Sequence, residues 1–123
     1  MRTLLLALTA LLALSFPARA DDLAEADRWW GANVSVASFV TADGVSIRYA
    51  RYSPPSPKGS LVFFTGRTEP LEKYAESLHA LRSLPVALYV YEHRGQGGSS
   101  RPLPDREKGH VADWRLYVED ARR

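Results

Sequence analysis

The spacing of apolar and polar positions changes several times along the chain, and each change marks an element. Residues 3–16 (TLLLALTALLALSF) are almost unbroken apolar. Residues 21–31 (DDLAEADRWWG) read as a short helix with acids in the first turn, where the helix dipole favours them, and Gly31 as its end. Core packing is the commoner use of paired tryptophans such as Trp29 and Trp30; contact with a membrane or a partner is the alternative. Residues 34–42 and 45–52 are rich in β-branched and aromatic side chains, with Asp43-Gly44 between them. That is a hairpin pattern, because Gly accepts the positive φ of a tight turn. Alternation over residues 45–49 predicts one buried and one wet face.

Residues 53–59 (SPPSPKG) form a loop, since three prolines forbid a strand interior. The apolar run 60–65 (SLVFFT) suits a strand covered on both faces. Glu69-Pro70 then opens a helix with Leu71, Tyr74, Ala75, Leu78 and Leu81 as its buried stripe, and Pro85 ends the region. Residues 86–91 (VALYVY) are a second apolar strand. Strand, helix, strand is a βαβ crossover, so these two strands are expected to be parallel. Residues 92–109 are a long polar loop, a length that usually signals function. Residues 111–123 read as a helix with Val111, Trp114, Val118 and Ala121 on its apolar face. A hairpin, two parallel strands and these helices make an α/β chain with an incomplete sheet, as in the first half of a larger domain.

Composition narrows the class. The 123 residues are 46% hydrophobic and 24% charged, which is globular, and the absence of Cys removes disulfides. Arg2, the apolar run and Ala18-Arg19-Ala20 form a secretory signal over residues 1–20. The run is shorter than the roughly 18–20 residues that span a bilayer, which weighs against an uncleaved anchor. The expected product is exported, periplasmic or secreted, with no transmembrane segment after cleavage. Residues 21–33 form a helical lead-in, and residues 34–123 the α/β portion. Removing Arg2 and Arg19 from sixteen basic residues leaves fourteen against fourteen acidic ones. Without a basic excess, no nucleic-acid partner is expected. Nothing in the sequence speaks to oligomeric state.

Three segments carry candidate chemistry. They are residues 63–69 (FFTGRTE), residues 91–99 (YEHRGQGGS), and residues 108–114 (KGHVADW) with Tyr117-Val118-Glu119-Asp120. Read by themselves they leave alternatives. Gly66 is either a strand-to-helix turn or part of an anion-binding turn. Gly95-Gln96-Gly97-Gly98 lacks both phosphate-loop spacings. Ser99 and Ser100 fail G-x-S-x-G because Arg101 occupies the last position, so Ser99 is assigned to loop capping or hydrogen bonding. His79 lies off the apolar stripe and is expected in solvent; His110 is expected to cap the following helix. His93 and His110 have no metal-ligand spacing, so neither a metal nor a cofactor is expected.

In this order the segments resemble the N-terminal half of an α/β-hydrolase of the lysophospholipase/monoacylglycerol lipase type, the group also called serine aminopeptidase S33-like. The resemblance runs from about residue 36 to 123. It implies that the Arg67 backbone amide donates to the oxyanion of an acyl-transfer intermediate and that Gly66 lets the chain turn there. Thr65 stands where many members have His, and Glu92 where Asp is commoner. The resemblance also implies that Thr65, Glu92, His93, Arg94 and Gly95 brace the active-site loops, and that none of the Ser, Asp and His triad is present, all three falling beyond Arg123. The expected function is that of a fragment of an exported serine hydrolase acting on small-molecule lipid esters, lysophospholipids or monoacylglycerols. The alternative is a non-catalytic truncated product or a small exported binding module.

Overall fold

The structure, a computed structural model, describes residues 20–123. The signal expected over residues 1–20 therefore lies, except for Ala20, outside the described residues. Helix α1 (Ala20–Asn33) leads into a hairpin of β1 (Ser35–Val40) and β2 (Ser46–Tyr52). Strand β3 (Ser60–Phe64), a 3-10 turn (Leu71–Tyr74), α2 (Ala75–Leu81) and β4 (Ala87–Tyr91) form the crossover, and α3 (Arg115–Ala121) comes last.

The hairpin turns where Asp43-Gly44 predicts it. Gly44 has φ +80°, and Thr41 N donates to Val45 O at 2.9 Å. Strand order in the sheet is β1-β2-β4-β3. The parallel pair is β3 with β4, running from Ser60 opposite Ala87 to Phe64 opposite Tyr91. Strand β2 joins β4 antiparallel. So β4 is interior, and Ala87, Leu88, Val90 and Tyr91 are buried. Strand β3 is left at an edge with Leu61, Val62 and Phe64 exposed, which corrects the expectation that it is covered on both faces. The apolar run was right for a strand; its cover depends on neighbours that a local pattern does not specify.

One face of the sheet packs against α1, the 3-10 turn and α2. Its buried centre is Ala50, Leu71, Leu78, Leu88 and Val90, with Trp29, Trp30, Tyr52, Phe63 and Tyr74 packed around it. Both tryptophans thus fold onto the core. Arg48 shares this face with Ala50, and its guanidinium meets a buried carboxylate, so this side of β2 is not the wet face that alternation predicted. On the opposite face Phe39, Tyr49, Val62 and Tyr89 line an open groove, bounded at one end by Asp120 and Arg123.

Further expectations are corrected. Helix α1 runs through Gly31 to Asn33, whose side-chain amide donates to Trp29 O at 2.8 Å and closes the last turn. His79 is not in open solvent: its ring lies 5.5 Å from that of Trp29, and Nε2 faces Glu25 at 3.5 Å, because α1 packs on α2. The final helix begins at Arg115, not residue 111, where Asp113 Oδ1 accepts the Arg115 amide at 3.0 Å. His110 is five residues before that start and does not cap the helix. The face expected to be buried points outward, with Trp114 68% and Val118 40% exposed, while Asp120 is buried.

Candidate active site

The C-terminal ends of β3 and β4 lie side by side, since the two strands are parallel. Open α/β sheets bind their ligands at that edge. The β1–β2 turn reaches the same edge because β2 runs antiparallel to β4. The polar segments singled out in the sequence therefore gather at one end of the sheet.

Thr65 continues β3. It is buried, and its hydroxyl donates to Tyr91 O at 3.1 Å, fastening the end of β3 to that of β4. The chain then reverses over residues 66–69. Gly66 N donates to Glu69 Oε2 at 2.9 Å, with the Tyr74 hydroxyl oxygen at 3.3 Å. Left-handed backbone falls at Thr68 (φ 66°), whose amide donates to Gln96 Oε1 at 2.7 Å. So the reversal is made at Thr68, and Gly66 itself needs no positive φ. Among the described residues no hydrogen bond uses the Arg67 amide, and Arg67 is exposed. Glu69 also accepts the Tyr74 hydroxyl at 2.7 Å and pairs with Lys73 one turn on. The Lys73 ammonium, the Tyr74 hydroxyl and the Gly66 amide all favour the carboxylate, which brings its pKa down to about 2.

Glu92 is completely buried at the end of β4. One oxygen accepts Arg48 Nη1 at 3.1 Å and the Leu71 amide at 3.0 Å; the other accepts the Gly98 amide at 2.7 Å. A single carboxylate thereby joins β2, the 3-10 turn and the glycine loop. Arg48 also pairs with Glu72, and this second carboxylate holds the guanidinium even more firmly protonated. Ser99 donates to Glu92 O at 2.8 Å and accepts the Arg48 amide at 2.9 Å. Both bonds of Ser99 are structural.

The His93 ring stands edge-on between Tyr91 and Tyr117, with centroids 5.1 and 4.8 Å away. Burial pushes its pKa down, and the Thr65 backbone opposes that in part. Arg94 points the other way, to two aspartates. Nη2 and Nε meet Asp120 at 2.6 and 2.7 Å, and Nη1 meets Asp43 at 2.7 Å. Gly95 has φ +76°, and a Cβ there would overlap the His110 carbonyl, so this glycine is required twice over.

Sequence reading did not single out Asp43, Arg48, Glu69 or Gln96 as site residues. Asp43 carried only a turn signal, while Glu69 and Gln96 lay inside the candidate segments 63–69 and 91–99 without a role of their own. Their partners are distant in sequence or hidden in a loop. Among the described residues no helix is long and apolar enough to cross a membrane, and no three His, Cys, Asp or Glu side chains converge as a metal site.

Residues 55–123 match the serine aminopeptidase S33 family. Lysophospholipase L2 of Escherichia coli strain K12 is 36% identical over 84 residues, 68% of this chain and 25% of that protein. A probable lysophospholipase L2 of Haemophilus influenzae is 33% identical over 60 residues, 49% of this chain and 18% of that protein. The chain thus spans at most about a quarter of the length of these curated relatives. Among solved structures, a bacterial membrane phospholipase A superposes with TM-score 0.50 at 18% identity, over 96% of this chain and 41% of that one. At that identity the likeness concerns the fold, a partial α/β-hydrolase sheet.

Proposed function

Because the chain belongs to the serine aminopeptidase S33 family of hydrolases, we propose that it is the amino-terminal part of an exported serine hydrolase that cleaves carboxylic esters of lipids. Lysophospholipids are the leading substrate class and monoacylglycerols the next, in keeping with the lysophospholipases it is similar to. The carrying observation is the uncommitted Arg67 amide at the C-terminal end of β3, beside a turn whose neighbouring amides are already used.

In this reading a serine attacks the ester carbonyl with a histidine as base, and the carbonyl oxygen becomes an oxyanion. The Arg67 amide donates to that oxygen. A fixed backbone dipole aimed at developing charge needs no reorganisation during the reaction. The triad comes from chain beyond Arg123. Thr65, Glu92, His93, Arg94 and Gly95 hold the loops under the turn, through the bonds and contacts described above. Export rests on the signal pattern over residues 1–20.

The test begins with the reading frame beyond the Arg123 codon. A continuation carrying G-x-S-x-G, then Asp and His, is expected. The encoded protein should release fatty acid from lysophosphatidylcholine and take a fluorophosphonate label on the elbow serine. A stop codon directly after Arg123, or a full protein that neither labels nor hydrolyses, overturns the reading.

A further inference from the structure

We propose that Glu69 is a positioning residue for the oxyanion turn: by taking up the Gly66 amide it leaves Arg67 as the donor and fixes its direction. The inference rests on the hydrolase reading above and adds a residue to it. Two adjacent amides, those of Gly66 and Arg67, lie where β3 ends. The Glu69 carboxylate sits 2.9 Å from the first. An amide already donating to a carboxylate is a poor donor to a second anion, and a carboxylate repels a neighbouring oxyanion. The oxyanion is therefore directed to Arg67.

A negative charge beside the oxyanion would by itself oppose catalysis. Here Lys73 pairs with the same carboxylate and offsets its charge, while the Tyr74 hydroxyl at 2.7 Å fixes its rotamer. Tyr74 is held in turn by ring packing on Phe63, with centroids 6.0 Å apart. The turn is thus tied back to the helical segment that follows it, through one side chain three residues on. Gly66 is constrained for the same reason. A Cβ at that position would stand 2.8 Å from Glu69 Oε2, so a methyl group there pushes the carboxylate off the amide without touching the core.

Two variants therefore reach the same contact from opposite sides, Glu69→Ala by removing the carboxylate and Gly66→Ala by displacing it. Glu69→Gln keeps an acceptor oxygen. The experiment uses the protein expressed from its own complete reading frame and reads two quantities. One is the hydrogen-exchange rate of the Gly66 amide by NMR; the other is kcat and KM for a short-chain ester. In the parent protein the Gly66 amide is expected to be protected. Both alanine variants should lose that protection, and kcat should fall on the order of a hundredfold with KM little changed, as a small misplacement of a reacting group costs. Glu69→Gln should restore most of both. Unprotected Gly66 in the parent, or alanine variants with parental kcat, would overturn the role of Glu69 while leaving the hydrolase reading in place. Protected Gly66 in a parent that turns over no ester would instead sink the hydrolase reading, and the positioning role with it.

Discussion

Arg94 and Asp120 form a two-pronged ion pair, Nη2 to Oδ1 at 2.6 Å and Nε to Oδ2 at 2.7 Å, with side chains only 8% and 1% exposed. Helix α3 is therefore fastened to the loop after β4 by charge, while its Val118 and the preceding Trp114 face outward.

Replacing Arg94 by Met strands the Asp120 carboxylate. The expected loss is about 3–5 kcal/mol of stability, the cost of a buried charge without its partner. Arg94→Met combined with Asp120→Leu should regain most of it, since apolar pairs replace buried ion pairs well. Asp43→Asn should matter much less, because the Asp43 side chain is 47% exposed. Urea unfolding followed by tryptophan fluorescence measures all three; a small loss for Arg94→Met would mean that water reaches the pair.

Gly95→Ala is expected to destabilise more than Gly44→Ala. Both have positive φ, worth about 1–2 kcal/mol against any other residue. Only Gly95 adds a clash, with the His110 carbonyl, whereas a Cβ at Gly44 meets open space. Equal shifts in melting temperature would contradict the close approach of residues 95 and 110.

Acid should loosen the turn after β3 late. The Glu69 pKa is lowered in the folded state, from 4.5 to about 2. Its contribution is thus complete above the unfolded value and is lost as pH falls from there through about 2. Carboxyl carbon shifts report this directly. A Glu69 titration at the ordinary position would remove the Lys73 and Tyr74 contacts from the account.

His93 acts in a higher window with the same sign. Burial lowers its pKa below 6.5, so the folded state favours the neutral ring. Stability from this group is present above 6.5 and falls as pH drops toward the folded value, where the buried ring must accept charge. His93→Phe should flatten that part of the stability–pH curve and keep the packing on Tyr91 and Tyr117. An unchanged curve would place the ring in water.

The polypeptide 21–123 by itself is expected to associate as its concentration rises. Strand β3 is an edge with Val62 45% and Phe64 54% exposed, next to the open groove of Phe39, Tyr49 and Tyr89. Val62→Lys should shift sedimentation toward monomer. Monomeric behaviour of the parent at all concentrations would show the edge to be harmless.

Much of the local structure was legible in the sequence. The hairpin at Asp43-Gly44 and the parallel pairing of β3 with β4 follow from period and turn chemistry, and the inward packing of Trp29 and Trp30 from the commoner use of such pairs. The motif carrying Glu92, His93 and Arg94 was visible as well, though not the partners of these residues. Asp120 belonged to the third candidate segment but had no assigned partner, and its helix looked apolar on the face that the structure leaves outside.

The sequence by itself thus determined the kinds of element and their order, because periodicity and turn preferences act within a few residues, and its three motif segments carried the hydrolase resemblance. Tertiary structure decided that β4 is interior and β3 an edge, that Arg94 reaches across 26 residues to Asp120 and 51 to Asp43, and that Glu69 occupies the Gly66 amide. A buried charge selects whichever opposite charge the folded backbone brings within hydrogen-bonding distance, and that choice exists only once the strands have paired.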